Sequence, residues 1–105
     1  MTGHEFNEHF EYITGQCREM IACKAAHYTE DNDRLHNFAA ARNLQGNTLL
    51  QAIAGMMAKH TVSVYDLIRK NANGESVSRD MWEEKIVDNI NYLIILWAAI
   101  NHESA

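Results

Sequence analysis

Apolar residues recur every three or four positions along most of this chain, which is the period of one face of an α-helix. Phe6, Phe10, Ile13, Cys17, Met20 and Ile21 form the first series and predict helix one from about Gly3 to Tyr28. Thr2 and Glu5 fit a capping box at its start, and Glu5, Glu8 and Glu11 lie where acids favour the helix dipole. A polar break, Thr29 to Asp33, precedes a short helix two from about Arg34 to Leu44, with Asp33 as its expected N-cap. Gly46 is the expected C-terminal cap. Asn47 or Thr48 then opens helix three, which runs to about Lys70 on the stripe Leu50, Ile53, Met57, His60, Val64 and Leu67. Asn73-Gly74 signals a turn. Ser78 caps helix four, about Arg79 to Asn101, with Trp82, Ile86, Ile90, Leu93, Trp97 and Ile100 expected inward. Three long helices and one short one, joined by short loops, predict a single all-α domain, an antiparallel bundle of about four helices.

Composition supports that reading. Hydrophobic residues make up 47% of the 105 positions and proline is absent, which suits helix interiors. The net charge of −5, with nine Lys and Arg scattered among fourteen acids, lacks the basic stripe of a nucleic-acid binder. Cys17 and Cys23 stand six apart on helix one, about 9 Å along the axis. That is too far for a disulfide, and no CxxC pair suggests zinc. The N-terminus lacks a basic-then-apolar signal pattern, and the run from Tyr92 to Ile100 is about half a bilayer span. A cytoplasmic protein that does not bind membranes is the expectation.

The informative positions are polar residues on or beside the apolar stripes. Lys24 continues the helix-one series, either turned inward or snorkelling at the helix end. His60 sits on the helix-three stripe, where it needs a partner whether it is a core histidine or a ligand. Glu84, Asp88 and Asn91 share one face of helix four beside its stripe. Their oxygens suit Mg²⁺ or Mn²⁺, and a solvated flank is the alternative. Asp33, His36 and Asn37 open helix two on one side, and Lys59, Ser63 and Asp66 line up next to His60. Donors and acids from three helices beside their seams describe a bundle-core site. No phosphate loop, GxSxG or HExxH is present.

Several segments resemble a group of small phage and prophage proteins of unassigned function. They are Lys24-Ala-Ala-His27-Tyr28, Asp33-Arg34-Leu35-His36-Asn37-Phe38, Gly55-Met56-Met57-Ala58-Lys59-His60, and Trp82-Glu83-Glu84-Lys85 through Leu93. The likeness spans roughly residues 18 to 100. The last segment is also similar to the final helix of the MazG-type nucleoside triphosphate pyrophosphohydrolases, all-α enzymes in which acidic helices hold Mg²⁺. That resemblance implies Glu84 and Asp88 as metal ligands and catalytic groups. It implies Asn91 on the nucleotide side, and Lys24 and Lys59 on phosphate. Asp33, His36, Asn37 and His60, read from their helix faces and not from the family pattern, complete the candidate substrate-binding set, with Asp33 and His36 also the candidates to complete the metal set from helix two. The chain departs from that pattern: it has no Glu-Glu-x-x-Glu on helix one or three, and Glu84 and Asp88 stand four apart rather than three.

The expected function is therefore a MazG-like nucleotide-binding protein with a Mg²⁺ or Mn²⁺ cofactor, extending to a Mg²⁺-dependent pyrophosphohydrolase. A homo-oligomer is expected because two tryptophans and many Met and Ile residues would make a small chain sticky. Two rival readings stand beside it. One is a non-enzymatic helical adaptor for a host or phage protein. The other is a purely structural polar network that fixes helix register.

Overall fold

A computed structural model describes residues 1–25 and 33–104, with the side chains of residues 24, 25, 103 and 104 outside that description. Four helices make up the structure: α1 (Gly3–Ala25), α2 (His36–Gln45), α3 (Leu49–Ala72) and α4 (Arg79–Ser104). No strand occurs among the described residues. The fold is the all-α bundle of four helices that the periodicity predicts.

Helix starts follow from local chemistry. At α1 the Glu5 backbone N–H donates to Thr2 Oγ1 and the Thr2 N–H donates to Glu5 Oε2, each at 3.1 Å, a complete capping box. Thr48 and Gln51 form a second one at α3, and the Met81 N–H donates to Ser78 Oγ at 3.2 Å to start α4. The start of α2 differs from expectation. Leu35 occupies the N-cap position with no side-chain cap. Asp33 lies two residues earlier and accepts from the Leu35 N–H at 3.0 Å. Its short side chain closes a turn before the helix, a common competitor of capping for Asp. Gly46 ends α2 at φ 68°, a left-handed conformation that glycine adopts without steric cost. The expected extension of helix one to Tyr28 lies outside the described residues.

Packing is organised around α4. α3 makes the most extensive contact with it, α2 packs on α3, and α1 packs only on α4 among the described helices. α3 and α4 form an antiparallel hairpin. α1 instead runs in the same direction as α4: Tyr12 meets Glu83, and one turn or two further on Cys17 and Ile21 meet Ile90 and Ile94. The antiparallel expectation therefore holds for the hairpin and fails for α1, because α2 and α3 carry the chain back before α4 begins.

The core lies where α2, α3 and α4 meet. Phe38, Leu49, Ile53 and Ala99 are buried there, with Leu35, Leu50, Met56, Tyr92, Ile95 and Leu96 packed around them. Ile53 is fully buried, and burying such a side chain contributes about 1.5–3 kcal/mol. Phe38 meets Tyr92 edge-on, with ring centroids 6.1 Å apart. Among the described side chains of α1 only Cys17 is buried, while Phe6 and Phe10 are exposed. Burial pushes the Cys17 thiol up from its ordinary value, leaving it a small inert hydrophobe.

α4 corrects the sequence reading most. Its buried residues are Val87, Asn91 and Ala99, whereas Ile86, Leu93, Trp97 and Ile100 are exposed. Of the stripe expected inward, Trp82 and Ile90 are half-buried toward α1, and the second half, Leu93, Trp97 and Ile100, faces out. Between Ile86 and Ile100 the helix is apolar on nearly every side, so spacing alone could not say which stripe the chain itself would cover.

Candidate functional site

The α3–α4 hairpin brings together polar groups that the sequence sets 28 or 29 residues apart. His60 Nδ1 lies 3.6 Å from Asp88 Oδ2, and both side chains are mostly buried. The contact is an ion-pair distance once the ring is protonated, and longer than a hydrogen bond. One turn further along α4, the Tyr92 ring lies against the His60 imidazole, with centroids 4.6 Å apart and planes 32° from parallel. Tyr92 also touches Phe38, so α2 reaches this cluster through an aromatic contact.

Asn89 fixes the two helices relative to each other. Its Nδ2 donates to the His60 carbonyl and to the Lys85 carbonyl, each at 2.8 Å. Its Oδ1 accepts from Thr61 Oγ1 at 3.2 Å. The Asn89 side chain therefore clamps the backbone of the residue whose imidazole faces Asp88. Neither Asn89 nor Thr61 was picked out from the sequence. The available signal was an amide between Asp88 and Ile90, one residue off the oxygen-bearing face, where a surface flank would have carried a charge.

Asn91 is the anomaly. It is 5% exposed, and neither its Oδ1 nor its Nδ2 has a hydrogen-bond partner. A buried primary amide with nothing to bond costs roughly 1–3 kcal/mol or more, and native proteins hold few such groups. Asn47 shows the milder form: its Oδ1 is unpaired, but its Nδ2 donates to Gln45 Oε1 at 3.1 Å. At Asn91 the whole amide is orphaned.

The remaining expected site residues fall elsewhere. Glu84 is exposed one turn before Asp88, and Lys59 is exposed beside His60. Ser63 donates to the Lys59 carbonyl at 2.9 Å, and Asp66 pairs with Arg69 at 3.0 Å, so both are engaged within α3. His36 and Asn37 are exposed at the start of α2. Asp33 lines a cavity of about 310 Å³ with Arg42, Leu49 and His102. His102 lies fourteen residues beyond Asp88 on α4, about 21 Å along the axis. Asp33 thus belongs to the C-terminal end of the bundle, away from the His60–Asp88 pair. The Lys24 side chain lies outside the described residues.

The metal expectation can be tested on the donors themselves. Among the described residues no three His, Cys, Asp or Glu side chains gather at one point. Glu84 and Asp88, one turn apart, offer two carboxylates. That number suits a Mg²⁺ that completes its shell with water and substrate phosphate, and is too few for a cation caged by protein.

On the other side of α4 the character reverses. Thr14, Cys17, Arg18, Ile21, Ile90 and Ile94 line a cavity of about 260 Å³ between α1 and α4. A neighbouring one of about 220 Å³ shares Ile21 and Ile94 and adds Leu35, Ile95 and Ala98. Nearer the start of α4, Tyr12 Oη donates to Glu83 Oε1. That bond is the main reason the Tyr12 phenol is raised from its ordinary value, with desolvation adding to it. None of these cavities is lined by His60, Asp88 or Asn91. No described helix is long and apolar enough to cross a membrane. No family model matches the chain, and no curated protein or solved structure matches it either.

Proposed function

We propose that this protein binds a nucleotide at the seam of α3 and α4, as the resemblance of its last helix to the MazG-type pyrophosphohydrolases implies. The observation that carries this reading is the orphaned Asn91 amide, one turn from Asp88 and beside Tyr92. An amide presents a donor and an acceptor side by side, the pattern that pairs with the edge of a nucleobase. The Tyr92 and His60 rings, which lie against each other across the seam, suit base stacking. Lys59, exposed on α3 next to His60 in the chain, would bind phosphate. Asp88 and Glu84 would share a Mg²⁺ with the phosphates, and the bound ion would neutralise phosphate charge. A buried polar group kept without a partner at a cost to stability is the mark of a site selected for binding rather than for folding.

Binding is the part of the reading these residues support. Hydrolysis to a nucleoside monophosphate and pyrophosphate calls for further acids near the phosphates, which the described residues do not supply. Thermal unfolding with Mg²⁺ or Mn²⁺, with and without a panel of nucleoside and deoxynucleoside triphosphates, tests the proposal. A ligand that binds only the native state raises the midpoint. The expected result is a metal-dependent rise with at least one nucleotide that disappears in Asp88→Ala. No rise with any nucleotide at millimolar concentration contradicts it. A second reading, the non-enzymatic adaptor, is favoured by one observation, the exposed apolar side of α4.

A further inference from the structure

Ile86, Ile90, Leu93 and Trp97 follow one another along α4 at spacings of four, three and four. That is the 3.5-residue period of a seam between two helices. The seam is about 16 Å long at the helical rise. Ile86 and Ile90 line cavities against α1, and beyond them the stripe is left open: Leu93 is 57% exposed and Trp97 68%. From Tyr92 to Ile100 α4 is apolar on all sides, which suits the interior of an assembly, and α1, α2 and α3 of this chain cover only part of it.

The size of the uncovered surface is informative. The accessible area is 7684 Å², against about 6,000 Å² for a compact monomer of this mass. The radius of gyration is 16.1 Å, against about 13 Å for a compact chain of this length. That excess is shared between this stripe and the first half of α1, where Phe6, Phe10 and Tyr12 are also exposed.

We infer that a second copy of this chain docks along Leu93, Trp97 and Ile100, the open end of this stripe, pairing α4 with its counterpart about a two-fold axis. Charge selects a copy over a foreign protein. Each chain carries −5, and no Asp, Glu, Lys or Arg occurs from Asn89 to Asn101. Two like-charged chains can meet only where neither presents its acids. A basic partner would instead be drawn to acids, which this stretch does not offer. A two-fold contact sets the same patch against itself, so Leu93 and Trp97 of both copies meet in one apolar seam. The inference is independent of the nucleotide proposal, because the stripe faces away from His60, Asp88 and Asn91.

Sedimentation from sub-micromolar to about 100 μM protein tests it. The expected result is a dimer that dissociates on dilution, with tryptophan emission moving to the red as Trp97 is released into water. Leu93→Glu/Trp97→Glu should remain monomeric throughout with unchanged helical circular dichroism, since both side chains are exposed in the single chain. Trp97→Ala adds no charge and should weaken the dimer by about tenfold or more, and it decides the matter if the double variant fails to fold. A wild-type monomer at the highest concentration overturns the inference and assigns the stripe to a different protein. A dimer that survives both Trp97→Ala and the double substitution also overturns it.

Discussion

The two sides of α4 invert the usual distribution of polarity. Toward α3 the helix sets Asp88 against His60, and it buries the Asn91 amide without a partner. Away from α3 it leaves Leu93 and Trp97 in water. Transfer free energy opposes both arrangements: burying an unbonded amide costs, and so does exposing a large apolar side chain. A sequence under selection for folding alone would exchange the two patterns. One helix thus carries two departures from stability, and each is a candidate binding surface of the matching chemistry, polar on the inside and apolar on the outside.

Substitutions sharpen this contrast, beginning with the core that supports the polar side. Ile53→Ala removes fully buried atoms at the junction of α2, α3 and α4, and should cost about 2–5 kcal/mol in denaturant unfolding. A loss below about 1 kcal/mol would place the stabilising core elsewhere. Asn89→Ala releases the clamp on the His60 and Lys85 carbonyls and should cost about 1.5 kcal/mol. It should also weaken nucleotide-dependent stabilisation, because His60 loses its fixed relation to Asp88. Retained stabilisation by nucleotide in Asn89→Ala would detach the clamp from the site.

Thr48→Ala serves as a control remote from both sides of α4. It removes the side chain of a complete capping box and should cost about 1 kcal/mol, with nucleotide response and dimerisation unchanged. Tyr12→Phe, on the α1 side, should have the smallest effect, since its hydrogen bond to Glu83 is exposed. Its signature is in the pH dependence. The folded-state Tyr12 value is raised from 10.0. Its contribution is therefore fully present below pH 10.0 and lost as pH rises through the raised value. Wild-type stability should fall more steeply in that window than Tyr12→Phe, and identical alkaline profiles would remove Glu83 as the cause.

Much of this architecture was legible in the sequence, for local reasons. Thr2 with Glu5, Ser78 and Gly46 act within a turn of their own positions, so their roles survive any tertiary arrangement. The proximity of Asp88 and Asn91 was also local, since both lie on one helix face. What failed depended on which surfaces meet. The 3.5-residue stripe of α4 was visible, but a helix apolar all round gives no sign of which stripe its own chain covers. Asp33 seemed to converge with Asp88 because both flank apolar seams. Spacing along separate helices says nothing about which ends meet, and Asp33 lies beside His102 instead. The orphaned state of Asn91 could be seen only once α3 and α4 were packed together.

The most direct test of the central claim is the unfolding free energy of Asn91→Leu, measured without ligand and again with Mg²⁺ and nucleotide. Leucine keeps roughly the volume and removes the unbonded amide. The account predicts that the variant is more stable than wild type without ligand, by about 1–3 kcal/mol, and gains nothing from nucleotide. A variant less stable than wild type without ligand would contradict it, and would make Asn91 a structural residue of the bundle.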